Sequence, residues 1–193
     1  TQKASGDENL NKSEMLIGHS PAMLQLIKVV TKVAKTDANI LITASRQLYP
    51  FDIMPGFWTQ LLEKGESKLI LLDKVKEEIY QGSDDLADWL QQHEGEFVQK
   101  DMYDDLVVAS YGQVIQSVMD NGTYMEAAKA DFASVADSWI CAHALSKGYV
   151  IVTQETFEPN CKKRVKIPNI CKEFDIEYIN LIQFLREIGM RIT

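Results

Sequence analysis

Cysteine is scarce in this chain. The three present, Cys141, Cys161 and Cys171, are an odd number with no secretory apolar segment ahead of them, which excludes a disulfide framework as the basis of the fold. The cytoplasm is the expected compartment. Histidine is equally sparse: His19, His93 and His143 are scattered and no cysteine pair has metal-finger spacing, so a zinc module is excluded. Ten glycines and five prolines are too few for a low-complexity or disordered chain. No apolar run approaches the roughly 18 residues that span a bilayer, so no membrane is expected as a partner. Positive charge is also short, with twenty Lys plus Arg against twenty-eight Asp plus Glu and a net charge of -8. A general phosphate-backbone binder is thereby excluded, and any nucleic-acid role needs metal ions or a local basic patch.

What is present is enough for a real core. In 193 residues, 46% are hydrophobic and 25% charged, the balance of one folded domain with at most a small appendage. Residues 1 to 13 are polar and read as a leader. Ser20 and Pro21 then offer a helix start, with Met23, Leu24, Ile27, Val30 and Ala34 on one face of a helix ending near Lys35. ANILIT reads as a strand, PGFWTQLLEKG as a helix opened by Pro55 and closed by Gly65, and KLILL as a second strand. DKVKEEIYQG, DDLADWLQQH and DDLVVASYGQVIQSVMDNG are helical, each with an acidic start that suits the helix dipole. ADSWICAHALSKG is a helix ending at Gly148, followed by the strand YVIVT, a short strand around EYINL and a last helix ending near Gly189. Strands alternating with helices imply an α/β fold with a mostly parallel sheet.

Two resemblances can be tied to particular residues. LIGHSPAMLQLIKVVTKVAKTDANILIT resembles the start of the AAA+ domain of sigma-54-dependent transcriptional activators. In that family a Walker A loop follows the strand at once, whereas here ILIT runs into ASRQLYPFD. No glycine-rich loop with a phosphate-reaching lysine occurs anywhere in the chain, so ATP is not expected as a ligand. From about Asp37 to Thr193 the chain resembles a PIN-like family related to the VapC-type toxin ribonucleases. DANILI with YPFDIMPGFW, VKEEI before DLADW, ADSWICAHAL, VIVTQE and VKIPNIC carry that likeness, in order. It implies a three-layer PIN-like fold, a central mostly parallel sheet flanked by helices, over residues 37–193. Residues 1–36, the leader and the activator-like helix, form an N-terminal helical appendage.

The resemblance also implies a site. Asp37, Glu78, Asp137 and Glu155 match the family's carboxylates and would hold Mg2+ or Mn2+, hard cations that take oxygen ligands. Asn39 and Thr153 would stand behind them. Glu78 is placed at the start of a helix after KLILL. Glu77 is an alternative ligand, since neighbouring helical positions are about 100 degrees apart and one alone can face the site. Acids at helix starts are also ordinary caps and dipole partners, and that reading stays open for each of them. In CKKRVK, Lys162, Lys163, Arg164 and Lys166 are either a solvated loop or the patch that positions an RNA phosphate. Phe57, Trp58 and Trp89 could stack bases but fit a core better, and His143 is assigned no catalytic role.

Two functions compete on this basis. The first is a metal-dependent endoribonuclease of PIN type, the toxin of a bacterial toxin–antitoxin pair, with RNA as substrate, an antitoxin protein as partner and a homodimer as possible assembly. The second is a catalytically impaired PIN-like module that binds RNA or a partner. Strand one separates them. Pairing of residues 33 to 36 into the sheet presents the following Asp37 correctly, whereas a helix there distorts the site.

Overall fold

A computed structural model describes residues 34–36, 38–100 and 104–191. The leader, the activator-like helix up to residue 33 and Asp37 lie outside the described residues. Ala34 and Lys35, expected at the end of that helix, are instead in strand β1 (Ala34–Thr36). With β2 (Leu69–Leu72), β3 (Val98–Lys100), β4 (Val150–Val152) and β5 (Tyr178–Ile179) it forms a five-stranded sheet of order β3-β2-β1-β4-β5. Every pairing among them is parallel, and Thr36 stands opposite Val152. Thus β1 is the central strand, paired on both sides.

All four residues of β2 and all three of β4 are buried. Successive strand residues face opposite sides, so burial of every one requires a layer of helices on each face of the sheet. Those layers are drawn from α1 (Ala38–Thr43), α2 (Pro55–Gly65), α3 (Asp73–Tyr80), α4 (Asp85–His93), α5 (Asp105–Asp120), α6 (Glu126–Ser134), α7 (Ala136–Lys147), α8 (Ile167–Glu173) and α9 (Leu181–Glu187). The three-layer α/β architecture expected from the sequence is the one observed.

Local chemistry sets the helix ends. Pro55 opens α2 at a position whose missing N–H costs nothing. Asp84 caps α4 by accepting from the Ala87 amide, and Asp104 caps α5 by accepting from Leu106. Asn180 and Gln183 form a reciprocal capping box on α9. Gly148, at φ 68°, closes α7 in the left-handed conformation that glycine alone adopts without strain.

ANILIT is not a strand. Its residues form α1, which continues as a π-turn over Ala44–Leu48 and buries Ala38, Ile40, Leu41 and Ala44. A six-residue apolar run fits either a buried strand or a buried helix, and periodicity does not separate them. Because residues 34–36 already fill the central place in the sheet, the run after them packs from above it as a helix. YPFDIMPGFW then builds an aromatic core. Tyr49 stacks on Phe57 with centroids 4.0 Å apart, Phe51 on Trp58 at 4.2 Å, and Trp89 meets Trp58 edge-on at 4.8 Å. Phe57 and Trp58 are buried and Trp58 Nε1 donates to the Tyr49 carbonyl at 2.9 Å, which removes both from any base-stacking surface.

Candidate functional site

In a doubly wound parallel sheet the strand order reverses where two neighbouring strands send their connections to opposite sides, and the crevice at their carboxyl ends is where ligands bind. Here that point lies between β1 and β4. The chain leaves β1 after Thr36 and β4 after Val152, residues that pair with each other. Because α7 runs back antiparallel before entering β4, its first turn lies at this same carboxyl edge.

Glu78 reaches the first turn of α7 there. The Glu78 carboxylate accepts, through Oε1, the backbone N–H of Ala136 at 2.9 Å. Ala136 is the first residue of α7 and Asp137 the second. The helix cap is Val135, which offers no side-chain bond, so Glu78 supplies from another helix the acceptor that a local cap would give. Asp137 itself is buried. It is not the N-cap, but as an acid in the first turn it still suits the helix dipole. Glu78 is also not at a helix start: α3 begins at Asp73, and Glu78 sits in its last turn. The shift follows from α3 starting directly at the end of β2, with no loop between. One residue earlier, Glu77 is exposed to solvent, so Glu78 is the acid that α3 turns toward α7. Its second oxygen, Oε2, has no partner among the described residues.

Glu155 follows β4 but is otherwise engaged. Its Oε2 accepts the Ile167 N–H at 2.8 Å, at the start of α8, and its Oε1 lies 3.5 Å from Nη2 of Arg164. Its own N–H donates to Oγ1 of buried Thr153 at 3.2 Å. Asn39 lies exposed on α1 rather than on a strand. Among the described residues no group of three or more His, Cys, Asp or Glu side chains converges closely enough to hold a metal ion, and Asp37 is outside them.

The basic run divides. Lys162 and Lys163 are exposed with no acidic partner among the described residues, and Arg164 is exposed beside Glu155. Lys166 is committed: its amine donates to Glu158 at 2.6 Å and is largely shielded from solvent. That hydrogen bond raises the Lys166 pKa and lowers that of Glu158, and it ties the loop across residues 158–166. His143 is buried within α7, and Cys171 is buried, its thiol pushed up to about 12 by desolvation. A cavity of about 500 Å³ lies at the opposite edge of the sheet, between Gly148 and the Phe174–Glu177 turn, away from the carboxylates.

A family model described as Domain of unknown function (DUF4411) matches residues 35–192. Residues 16–34 of the activator-like segment lie outside that match and residues 35–43 inside it. No curated protein matches the chain. Among solved structures, a chain from the crystal structure of VapBC2 from Rickettsia felis bound to a DNA fragment from their promoter is 13% identical. It aligns with a TM-score of 0.49 over 77% of this chain and 98% of that one. A chain of FitAcB from Neisseria gonorrhoeae is 18% identical, with a TM-score of 0.43 over 77% of this chain and 97% of that one.

Proposed function

The chain belongs to the DUF4411 family, and from that premise we propose that it is a metal-dependent endoribonuclease of the PIN type, acting as the toxin of a toxin–antitoxin pair. The observation that carries the reading is the seating of Glu78 against the first amide of α7, one residue from buried Asp137, at the carboxyl edge where the strand order reverses. Pairing of residues 34–36 on both sides of β1 supports it as well, since Asp37 follows directly in sequence.

The donor set suits Mg2+ or Mn2+. Asp37, Glu78 and Asp137 offer carboxylate oxygens, the ligands hard divalent cations take. A bound divalent cation supplies charge neutralisation at the phosphate and activates water as a nucleophile. The protein's own contribution is positional. Glu78 is held by the Ala136 amide, so its free oxygen is fixed in direction. Asp137 is oriented by the first turn of α7, whose amide dipoles favour the ionised carboxylate. Lys162 and Lys163 are the side chains that would contact the RNA backbone, and such contacts fix register without reading sequence. Asn39 and Thr153 complete the surroundings, and an antitoxin is the expected protein partner.

The test is cleavage of a single-stranded RNA in Mn2+, resolved on a gel. Activity should vanish in EDTA and fall by more than about a hundredfold in Asp37→Asn and in Asp137→Asn, the scale on which removal of a group acting in the transition state is felt. If the double variant cuts as well as the wild type, or if the wild type binds RNA without cutting, the impaired RNA-binding module replaces the nuclease.

A further inference from the structure

The loop between β4 and α8 is closed several times over, and Glu155 makes the closure nearest β4. Its Oε2 receives the Ile167 N–H across twelve residues. That amide is one of few donors at the start of α8, because the next residue, Pro168, has none. Overlapping this clip, Asn169 makes a second one. Its side chain accepts the Glu158 N–H at 3.0 Å and donates to the Glu158 carbonyl at 2.8 Å. Lys166 ties Glu158 again, and the Met125 amide donates to the Lys162 carbonyl at 2.9 Å. Val165 and Ile167 are buried while Lys162, Lys163 and Arg164 point outward. The loop therefore has one side fixed to the body and presents its cations on the other.

The contrast with Glu78 is chemical. Among the described residues Glu78 Oε2 has no partner, whereas Glu155 Oε2 accepts the Ile167 amide and its Oε1 lies 3.5 Å from the Arg164 guanidinium. A cation on Glu155 would share its oxygens with the Ile167 amide and sit beside the positive charge of the Arg164 guanidinium, which repels it. The geometry points to Glu155 as a positioning residue, a clip that closes the 155–167 loop and orients Lys162, Lys163 and Arg164 toward RNA phosphate, rather than as a cation ligand. This inference rests on the nuclease reading for its substrate, and departs from the carboxylate set that the family resemblance implies.

Four measurements separate the roles without any cleavage. RNA binding is read by anisotropy of a labelled single-stranded oligonucleotide with Ca2+ in place of Mn2+, at several salt concentrations. Mn2+ binding is read by calorimetry, loop closure by trypsin cleavage after residues 162–164, and overall folding by thermal melts. Glu155→Ala and Asn169→Ala should weaken RNA binding by about fivefold or more and flatten its salt dependence, since misplaced cations release fewer counterions. Both should speed tryptic cleavage at the loop. Glu155→Gln keeps a carbonyl for the Ile167 amide and should restore RNA binding and trypsin resistance toward wild type. All three should bind Mn2+ as the wild type does, whereas Asp137→Asn should lose more than about tenfold. If Glu155→Gln loses Mn2+ affinity as Asp137→Asn does, Glu155 is a ligand and the inference is overturned. It is equally overturned if Glu155→Ala binds RNA with the wild-type salt slope. A wild type that binds no RNA overturns the nuclease reading and, with it, the orienting role, while trypsin still decides whether the clip exists.

Discussion

Asp84 carries two duties with one carboxylate. One oxygen caps α4 through the Ala87 amide at 3.3 Å, and the other receives Nε and Nη2 of Arg46 at 3.1 and 2.6 Å. The Arg46 hydrogen bonds are the main cause, opposed by desolvation, that holds the Asp84 carboxyl below its usual 3.8. A depressed carboxyl pKa stabilises the fold above the unfolded pKa and loses that contribution as pH falls through the folded value. Asp84→Ala should therefore cost about 1 kcal/mol near neutral pH, and the gap to wild type should narrow on acidification to about pH 3. Urea unfolding at the two pH values reads this, and an equal gap at both would refute it. Thiol chemistry gives another residue-scale outcome. With Cys171 buried and its thiol at about 12, and Cys141 fully buried, iodoacetamide at pH 8 should label partly exposed Cys161 well before either. Peptide mapping after a short pulse would show the order, and equal labelling of Cys171 would contradict its burial.

At the scale of elements, α7 does opposite things at its two ends. Its first turn presents Asp137 to the candidate site, and its last turn is closed by Gly148, whose N–H bonds the Ala144 carbonyl at 2.9 Å. Nothing crowds a β-carbon at Gly148, so the cost of adding one is the left-handed backbone alone. Gly148→Ala should lower stability by about 1 kcal/mol. Because the change lies at the far edge of the sheet, RNA cleavage at a temperature where the variant is folded should be unaltered. A loss of cleavage would mean that the two ends of α7 are coupled. The loop before α8 is the converse case, an irregular segment tied by side-chain bonds of Glu155, Lys166 and Asn169.

For the whole molecule, a metal site of Asp37, Glu78 and Asp137, as proposed, would leave the metal-free native state short of a counter-charge. Like charges gathered at one site destabilise the metal-free fold, so Asp137→Asn should melt higher than wild type without metal, by something on the order of 1 kcal/mol. A cation that binds only the folded state adds RT ln(1 + [L]/Kd), about 2.7 kcal/mol at a hundredfold excess over Kd. Mn2+ should thus reverse the order of the two melting curves. If Asp137→Asn melts lower in the absence of metal and neither protein responds to Mn2+, Asp137 is a structural acid and the RNA-binding module stands in place of the nuclease.

Much of this architecture is local and therefore legible in the chain. Fully apolar LILL and VIV fix buried strands, Pro55, the acidic start of DDLADW and Gly148 mark helix ends, and the alternation of the two element types dictates a parallel sheet between helices. What local pattern left undetermined was decided by packing. ANILIT became a helix because the place a strand would take was already held by residues 34–36. Strand β3, three residues at the sheet edge, and α6, with its weak apolar face, gave no periodic signal to find. Among the acids, the order of motifs named Glu78 and Glu155 alike. Only contacts across the fold, from Glu78 to an amide 58 residues away and from Glu155 to the amide that begins α8, gave them different partners. A carboxylate's role is set by what competes for its oxygens, and those competitors are assembled by the tertiary structure.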